Sequence, residues 1–315
     1  MHHIVLLVTV AYLSVIRLSR EAGAMDYEIF DERKCILGEG PTASGTDHQL
    51  ITWVDVLGKR VLSRDVMTGE QFEVRTSAHV GFSIPRTRGG SVLGLADGPV
   101  LFDADGRLTP LPGRLAADGI PDPDPIRWND AKVSPTGELW LGTMTYDLLV
   151  GKSALYRMSR DGRTITRVLS ELTISNGIGW SPDGTRMFFI DSPKRSVSVF
   201  DVVGSVISNE RTLVDVAGFA GIPDGLCVDS EGGVWVAFWE GSSIRRFDGL
   251  HGTLSEEILF ATPRITSCAF GGTSLSQLFI TSAREDVPDH ENVEAGMTFV
   301  ATPGISGLSV NEFSG

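Results

Sequence analysis

The chain has 315 residues, 42% apolar and 21% charged, enough hydrophobic side chains to bury a core and too few charges for a disordered chain. Its 27 basic against 40 acidic residues give a formal charge of −13. With no basic cluster interleaved with aromatics, nucleic acid is not an expected partner, and the negative field favours cations. Cys35, Cys227 and Cys268 are widely spaced and odd in number, so they outline no disulfide scaffold and point to a reducing compartment.

The apolar run from Ile4 to Ile16 is shorter than the roughly 20 residues of a membrane span. A weak basic region and a poor cleavage context argue against a secretory signal. Residues 1–24 are therefore expected to be an upstream extension, and residues 25–315 a single domain, cytoplasmic and without stable membrane association. If residues 1–24 act as a signal peptide instead, the protein is secreted or periplasmic.

From Met25 onward the chain reads as short strand-like runs, among them QLITWVDV, ELWLGTM, RMFFIDS and GVWVAFW, broken by the turns ADG, RDG, SPDG and SEGG. No long segment shows the 3.6-residue apolar period of a helix. The expected class is all-β.

Three segments share one layout: WNDAKVSPTGELWLGTM, SNGIGWSPDGTRMFFID and PDGLCVDSEGGVWVAFW. Asn129 precedes Ser134 by five residues, Asn176 precedes Ser181 by five, and Asp224 precedes Asp229 by five. Weaker copies begin at Glu39 and Ser267, and HVGFSIPRTRGGSVLGLADG supplies an approximate sixth. The spacing is 47 from 129 to 176, 48 from 176 to 224, and 43 from 224 to 267. Six units of this size predict a six-bladed β-propeller with four-stranded blades, in which stacking buries faces that no single blade buries alone. An irregular β-sandwich or a pair of β-domains is the competing architecture.

In a closed propeller, equivalent positions converge on the central axis. Here that position reads Glu39, Asn129, Asn176, Asp224 and Ser267, a ring with two carboxylates and two amides. Such oxygen donors suit Ca²⁺ and also accommodate Mg²⁺, Mn²⁺ or Zn²⁺. Each residue taken alone is equally explained as a turn former bonding its own backbone; the common register favours a site. Arg127, two residues before Asn129, shares its face if the strand is extended, whereas Asp130 should point away. A structural ion pair is the other reading of Arg127. Cys227 and Cys268 read as core, His79 as a candidate for the channel rim, and Trp128 as a candidate pocket residue.

The motifs CILGEGPT, ITWVDVLGKRV, RWNDAKVSPTGELWLGTM, SNGIGWSPDG, IPDGLCVDSEGGVWVA and TSCAFGG, in this order, resemble the SMP-30/gluconolactonase family, which includes regucalcin, over about residues 30–305. The resemblance implies a six-bladed propeller with one divalent metal in its channel, Ca²⁺ or Zn²⁺ foremost, and hydrolysis of a small neutral sugar lactone. It implies Glu39, Asn176 and Asp224 as metal ligands, Arg127 and Asn129 as substrate-binding residues, and Asp147 where family members carry a glutamate that contacts sugar hydroxyls. Asp224 would also orient or deprotonate the attacking water. Ala43 stands where members commonly have tryptophan. Two further functions fit the same propeller site: phosphotriester hydrolysis, and calcium binding without turnover. The sequence assigns no oligomeric state.

Overall fold

A computed structural model describes residues 25–111, 126–288, 290 and 292–315; the extension expected at residues 1–24 lies outside them. Strand β1 (Tyr27–Asp31) precedes a run of four-stranded antiparallel sheets. The first contains β2 (Gly38–Ser44), β3 (Leu50–Asp55), β4 (Arg60–Asp65) and β5 (Gln71–Arg75), and the second β6 (Val80–Pro85), β7 (Ser91–Leu95), β8 (Gly98–Phe102) and β9 (Leu108–Pro110). The third contains β10 (Ile126–Val133), β11 (Leu139–Thr145), β12 (Ser153–Met158) and β13 (Ile165–Leu172). The fourth contains β14 (Ser175–Trp180), β15 (Arg186–Asp191), β16 (Ser196–Val203) and β17 (Val206–Asp215). The fifth contains β18 (Ile222–Val228), β19 (Val234–Trp239), β20 (Ser243–Phe247) and β21 (Leu254–Leu259). The sixth joins β22 (Ile265–Gly271), β23 (Gln277–Ser282) and β24 (Thr298–Ala301) to β1. The protein is a six-bladed β-propeller.

Its closure comes from the two ends of the propeller. Tyr27 pairs with Ala301 and Ile29 with Phe299, so the last blade borrows its outer strand from the start of the chain. The inner strands β14 and β22 are buried along their whole length, whereas the outer strands β5, β13, β17 and β21 are largely exposed. Among the described residues the core is split into six clusters, one at each blade junction. Phe82 of β6 meets Trp128 of β10 in one, and Trp235 of β19 meets Phe270 of β22 in another. Stability therefore resides between blades, which is why the repeats need one another.

The five-residue spacing has a structural meaning. Gly137, Gly184 and Gly232 each donate their N–H to the carbonyl of Ser134, Ser181 or Asp229, closing the same turn at the far end of β10, β14 and β18. All three glycines have positive φ, between 68° and 85°, where a side chain would clash. The C-terminal segment crosses that end of the channel: Gly307 bridges to Asp229, and Phe313 pairs with the Pro85–Arg86 edge.

Candidate metal centre and pocket

The opposite end of the channel opens into a pocket of about 320 Å³, with Glu39, Arg127, Asn129, Asn176 and Asp224 on its lining. Five residues predicted from the sequence thus meet there, each on the innermost strand of its blade. The ladders explain how. Each inner strand has one residue more than its partner at the same level: between Glu39 and Thr42, Val80 and Ser83, Trp128 and Ala131, Ser175 and Ile178, Pro223 and Leu226, and Ile265 and Ser267. A β-bulge re-aims side chains out of the regular alternation, and here six bulges ring one level of the channel.

The bulges also account for the glycine that follows Asn176 and Asp224. A Cβ on Gly177 would lie 2.8 Å from the Asp224 carbonyl oxygen, and one on Gly225 would lie 2.2 Å from the Ser267 hydroxyl. Neighbouring inner strands approach too closely for a side chain. Ser267 itself is buried beside Gly225 and is not part of the pocket lining.

Two carboxylates recur in position through a shared device. Asp55 Oδ1 at the end of β3 accepts the N–H of Leu37, two residues before Glu39. Asp191 Oδ1 at the end of β15 accepts the N–H groups of Thr173 and Ile174, just before Asn176. In both blades a buried acid on the second strand anchors the backbone leading into the inner strand.

Burial, then repulsion from Asp224 and Asp130, push the Glu39 carboxyl well above the usual carboxylate range. Burial and Asp130 do the same to Asp224, partly offset by a hydrogen bond from Asn176 and by the Arg127 charge. Like charges held together out of water attract a cation or a proton. The Asn176 amide also donates to Ser192 Oγ at 3.1 Å, which leaves its Oδ1 as an oxygen donor. Two carboxylates and an amide oxygen fit a hard divalent cation. Among the described residues no three His, Cys, Asp or Glu side chains gather as a metal site.

Asn129 is held differently. Its Oδ1 accepts from Arg127 Nη1 at 2.8 Å, and its Nδ2 donates to the Ser175 carbonyl at 3.0 Å. Arg127 is buried and also donates to the Trp128 carbonyl. Burial lowers its pKa, opposed by Glu39 and other nearby acids.

Asp130 is not on the pocket lining, yet its desolvated carboxyl rises to about 6 and its charge acts on both Glu39 and Asp224. Two readings of the sequence, those of Trp128 and Asp147, are corrected. Trp128 belongs to the core between the second and third blades, packed edge-on against Tyr156 at 5.9 Å. Asp147 is exposed in the turn after β11 and is not on the pocket lining; the preceding Tyr146 is. Tyr146 hydroxyl and His79 Nδ1 share a hydrogen bond of 2.7 Å, which places His79 behind the rim. Trp239, the last residue of the repeat segment that begins at Pro223, and Glu285, which lies outside the repeats, also line the pocket. Cys227 and Cys268 are buried and unbridged, their sulfurs 3.4 Å apart.

Fold and site together define a six-bladed propeller with an acidic, oxygen-lined pocket at one mouth of its channel. The chain belongs to the SMP-30/gluconolactonase/LRE-like family, whose model matches residues 37–284. Regucalcin of Danio rerio is 33% identical over 287 residues, covering 89% of this chain and 95% of that protein. Pentonolactonase XacC of Haloferax volcanii is 35% identical over 260 residues, covering 81% and 84%. The crystal structure of a calcium-binding protein, regucalcin, from Agrobacterium tumefaciens superposes with a TM-score of 0.84 at 26% identity, covering 92% of this chain and 98% of that one.

Proposed function

We propose that the protein is a divalent-metal-dependent lactonase that opens sugar lactones by hydrolysis. The observation that carries this reading is the convergence of Glu39, Asn176 and Asp224 at the six-bulge level of the channel, on the lining of one pocket. The family membership and the pentonolactonase relative support the reaction class.

Glu39, Asn176 and Asp224 are the residues that would hold the cation. When bound there, Ca²⁺, Zn²⁺, Mg²⁺ or Mn²⁺ polarises the ester carbonyl, offsets negative charge developing on its oxygen and makes water more acidic. The protein's own groups do the rest. Arg127, fixed by two hydrogen bonds, presents its remaining donors to substrate oxygens with little freedom left to lose. Asn129, clamped at both ends of its amide, keeps that guanidinium in register. Asp224 Oδ accepts the proton of the attacking water and returns it to the departing alkoxide, so that the ring opens to a hydroxy acid.

Asp224→Asn preserves size and removes the proton acceptor. Hydrolysis by this variant, assayed with metal occupancy measured alongside, is expected to fall at least a hundredfold. Full turnover with metal still bound would overturn the role given to Asp224.

A further inference from the structure

Besides Glu39 and Asp224, the pocket lining carries two charged side chains, Arg127 and Glu285. Arg127 commits Nη1 to Asn129 Oδ1 and to the Trp128 carbonyl, while its Nε and Nη2 have no hydrogen-bond partner among the described residues. Glu285 is half-buried in the connection after β23, and its carboxylate has no hydrogen-bond or ion-pair partner among the described residues. Its backbone is nevertheless pinned. The N–H donates to the Ile36 carbonyl at 3.0 Å, and the Glu285 carbonyl accepts from Arg264, whose guanidinium lies over the Trp239 ring at 4.8 Å. Other polar groups of the lining are engaged: Asn129 bonds Arg127 and the Ser175 carbonyl, the Tyr146 hydroxyl bonds His79, and Ser192 Oγ accepts from Asn176.

A sugar hydroxyl both accepts and donates. A bound cation and the free donors of Arg127 serve only its oxygen lone pairs; its hydrogen needs an acceptor, and burying it without one costs free energy. With Glu39 and Asp224 turned to the cation, Glu285 is the acid of the lining left to accept. Its charge reaches Arg127 as well: burial lowers the pKa of that guanidinium, and Glu285 is among the acids that oppose the change. We infer that Glu285 is a specificity-determining residue whose carboxylate accepts hydrogen bonds from the hydroxyl groups of the bound lactone, the role that the family resemblance gave to Asp147. Asp147, exposed and off the lining, leaves that role open. The inference rests on the lactonase reading and concerns which lactones it serves. An anchored carboxylate with no protein partner favours lactones with ring hydroxyls, because a ligand that lacks them leaves the charged acceptor unpaired.

The test is proton release by the full-length, metal-loaded protein on ribono-1,4-lactone and γ-butyrolactone, which share the five-membered ester ring and differ in their hydroxyl groups. In Glu285→Ala the ratio of kcat/KM for ribono-1,4-lactone to that for γ-butyrolactone is expected to fall at least tenfold. Glu285→Gln keeps the length and one acceptor oxygen without the charge, and is expected to recover at least threefold of that loss. The side chain is half-exposed on a connection, so both substitutions spare the core, and circular dichroism checks the fold. An unchanged ratio in Glu285→Ala, whether both rates hold or both fall together, overturns the inference and leaves the lactonase reading standing. A ratio in Glu285→Gln no higher than in Glu285→Ala contradicts the acceptor role. No turnover of either lactone by the wild type, with bound metal demonstrated, overturns both the inference and the reading beneath it.

Discussion

Arg127 donates from Nη1 to Asn129 Oδ1 across 2.8 Å, so two residues on one strand act as a single preorganised group. Both Asn129 and the Trp128 carbonyl accept from the same Nη1, and lysine at position 127 keeps the charge but loses the other guanidinium donors. Arg127→Lys is expected to lower kcat/KM at least tenfold with an unchanged circular dichroism spectrum. Wild-type kinetics in this variant would show that the fork has no part in binding.

The buried acids predict a pH dependence with a definite sign. Burial raises Asp130 from 3.8 to about 6, so the folded state holds its proton more tightly than the unfolded chain. The stability this contributes is complete below about pH 3.8 and is lost as the pH rises through about 6. The stability difference between wild type and Asp130→Asn, followed by denaturant unfolding of metal-free protein, should therefore change between about pH 4 and 6 and level off above. A constant difference across that range contradicts the assignment.

Glu39 and Asp224 are raised in the same direction, and cations compete with their protons. The increase in Tm produced by Ca²⁺ is expected to be larger at pH 8 than at pH 5. Scanning calorimetry at fixed ionic strength reads this difference, and an equal increase at both values argues against binding by these carboxylates.

Asp191 is a positioning residue for Asn176. It is buried and accepts two backbone N–H groups, so Asp191→Ala leaves both donors without a partner, at a cost of about 2–4 kcal/mol. Denaturant unfolding is expected to show that loss. Calorimetric titration is expected to show weaker metal binding, a readout that a change in packing elsewhere would not move.

Ring closure through β1 places Phe30 at the junction of the last and first blades, its ring 4.7 Å from Phe279 and 6.2 Å from Trp53. Phe30→Ala is expected to cost about 3–5 kcal/mol and to lower Tm while leaving the kcat of the folded enzyme intact. A stability change below about 1 kcal/mol would remove the closure from any dominant role.

The repeated positions were legible because rotation about one axis turns a linear spacing into a ring: Glu39, Asn129, Asn176 and Asp224 share a register in sequence and a level in space. The charge that Asp130 exerts on Glu39 and Asp224 from off the pocket lining was not legible, because alternation describes a regular ladder and the strand bulges between Trp128 and Ala131. Tyr146, Trp239 and Glu285 lie at the ends of strands or in connections, where blades differ from one another. The pairing of β1 with β24 joins segments about 270 residues apart, and β1 carries no copy of the repeat motif to announce its blade.

The central claim is that a cation held by Glu39, Asn176 and Asp224 supports lactone opening. The most direct measurement is proton release on a lactone panel by chelated protein, before and after Ca²⁺, Zn²⁺, Mg²⁺ or Mn²⁺ is restored separately. The account predicts a spontaneous rate for the chelated protein and turnover well above it with at least one restored metal. Turnover that is indifferent to chelation, or bound metal with no hydrolysis of any lactone, would contradict it.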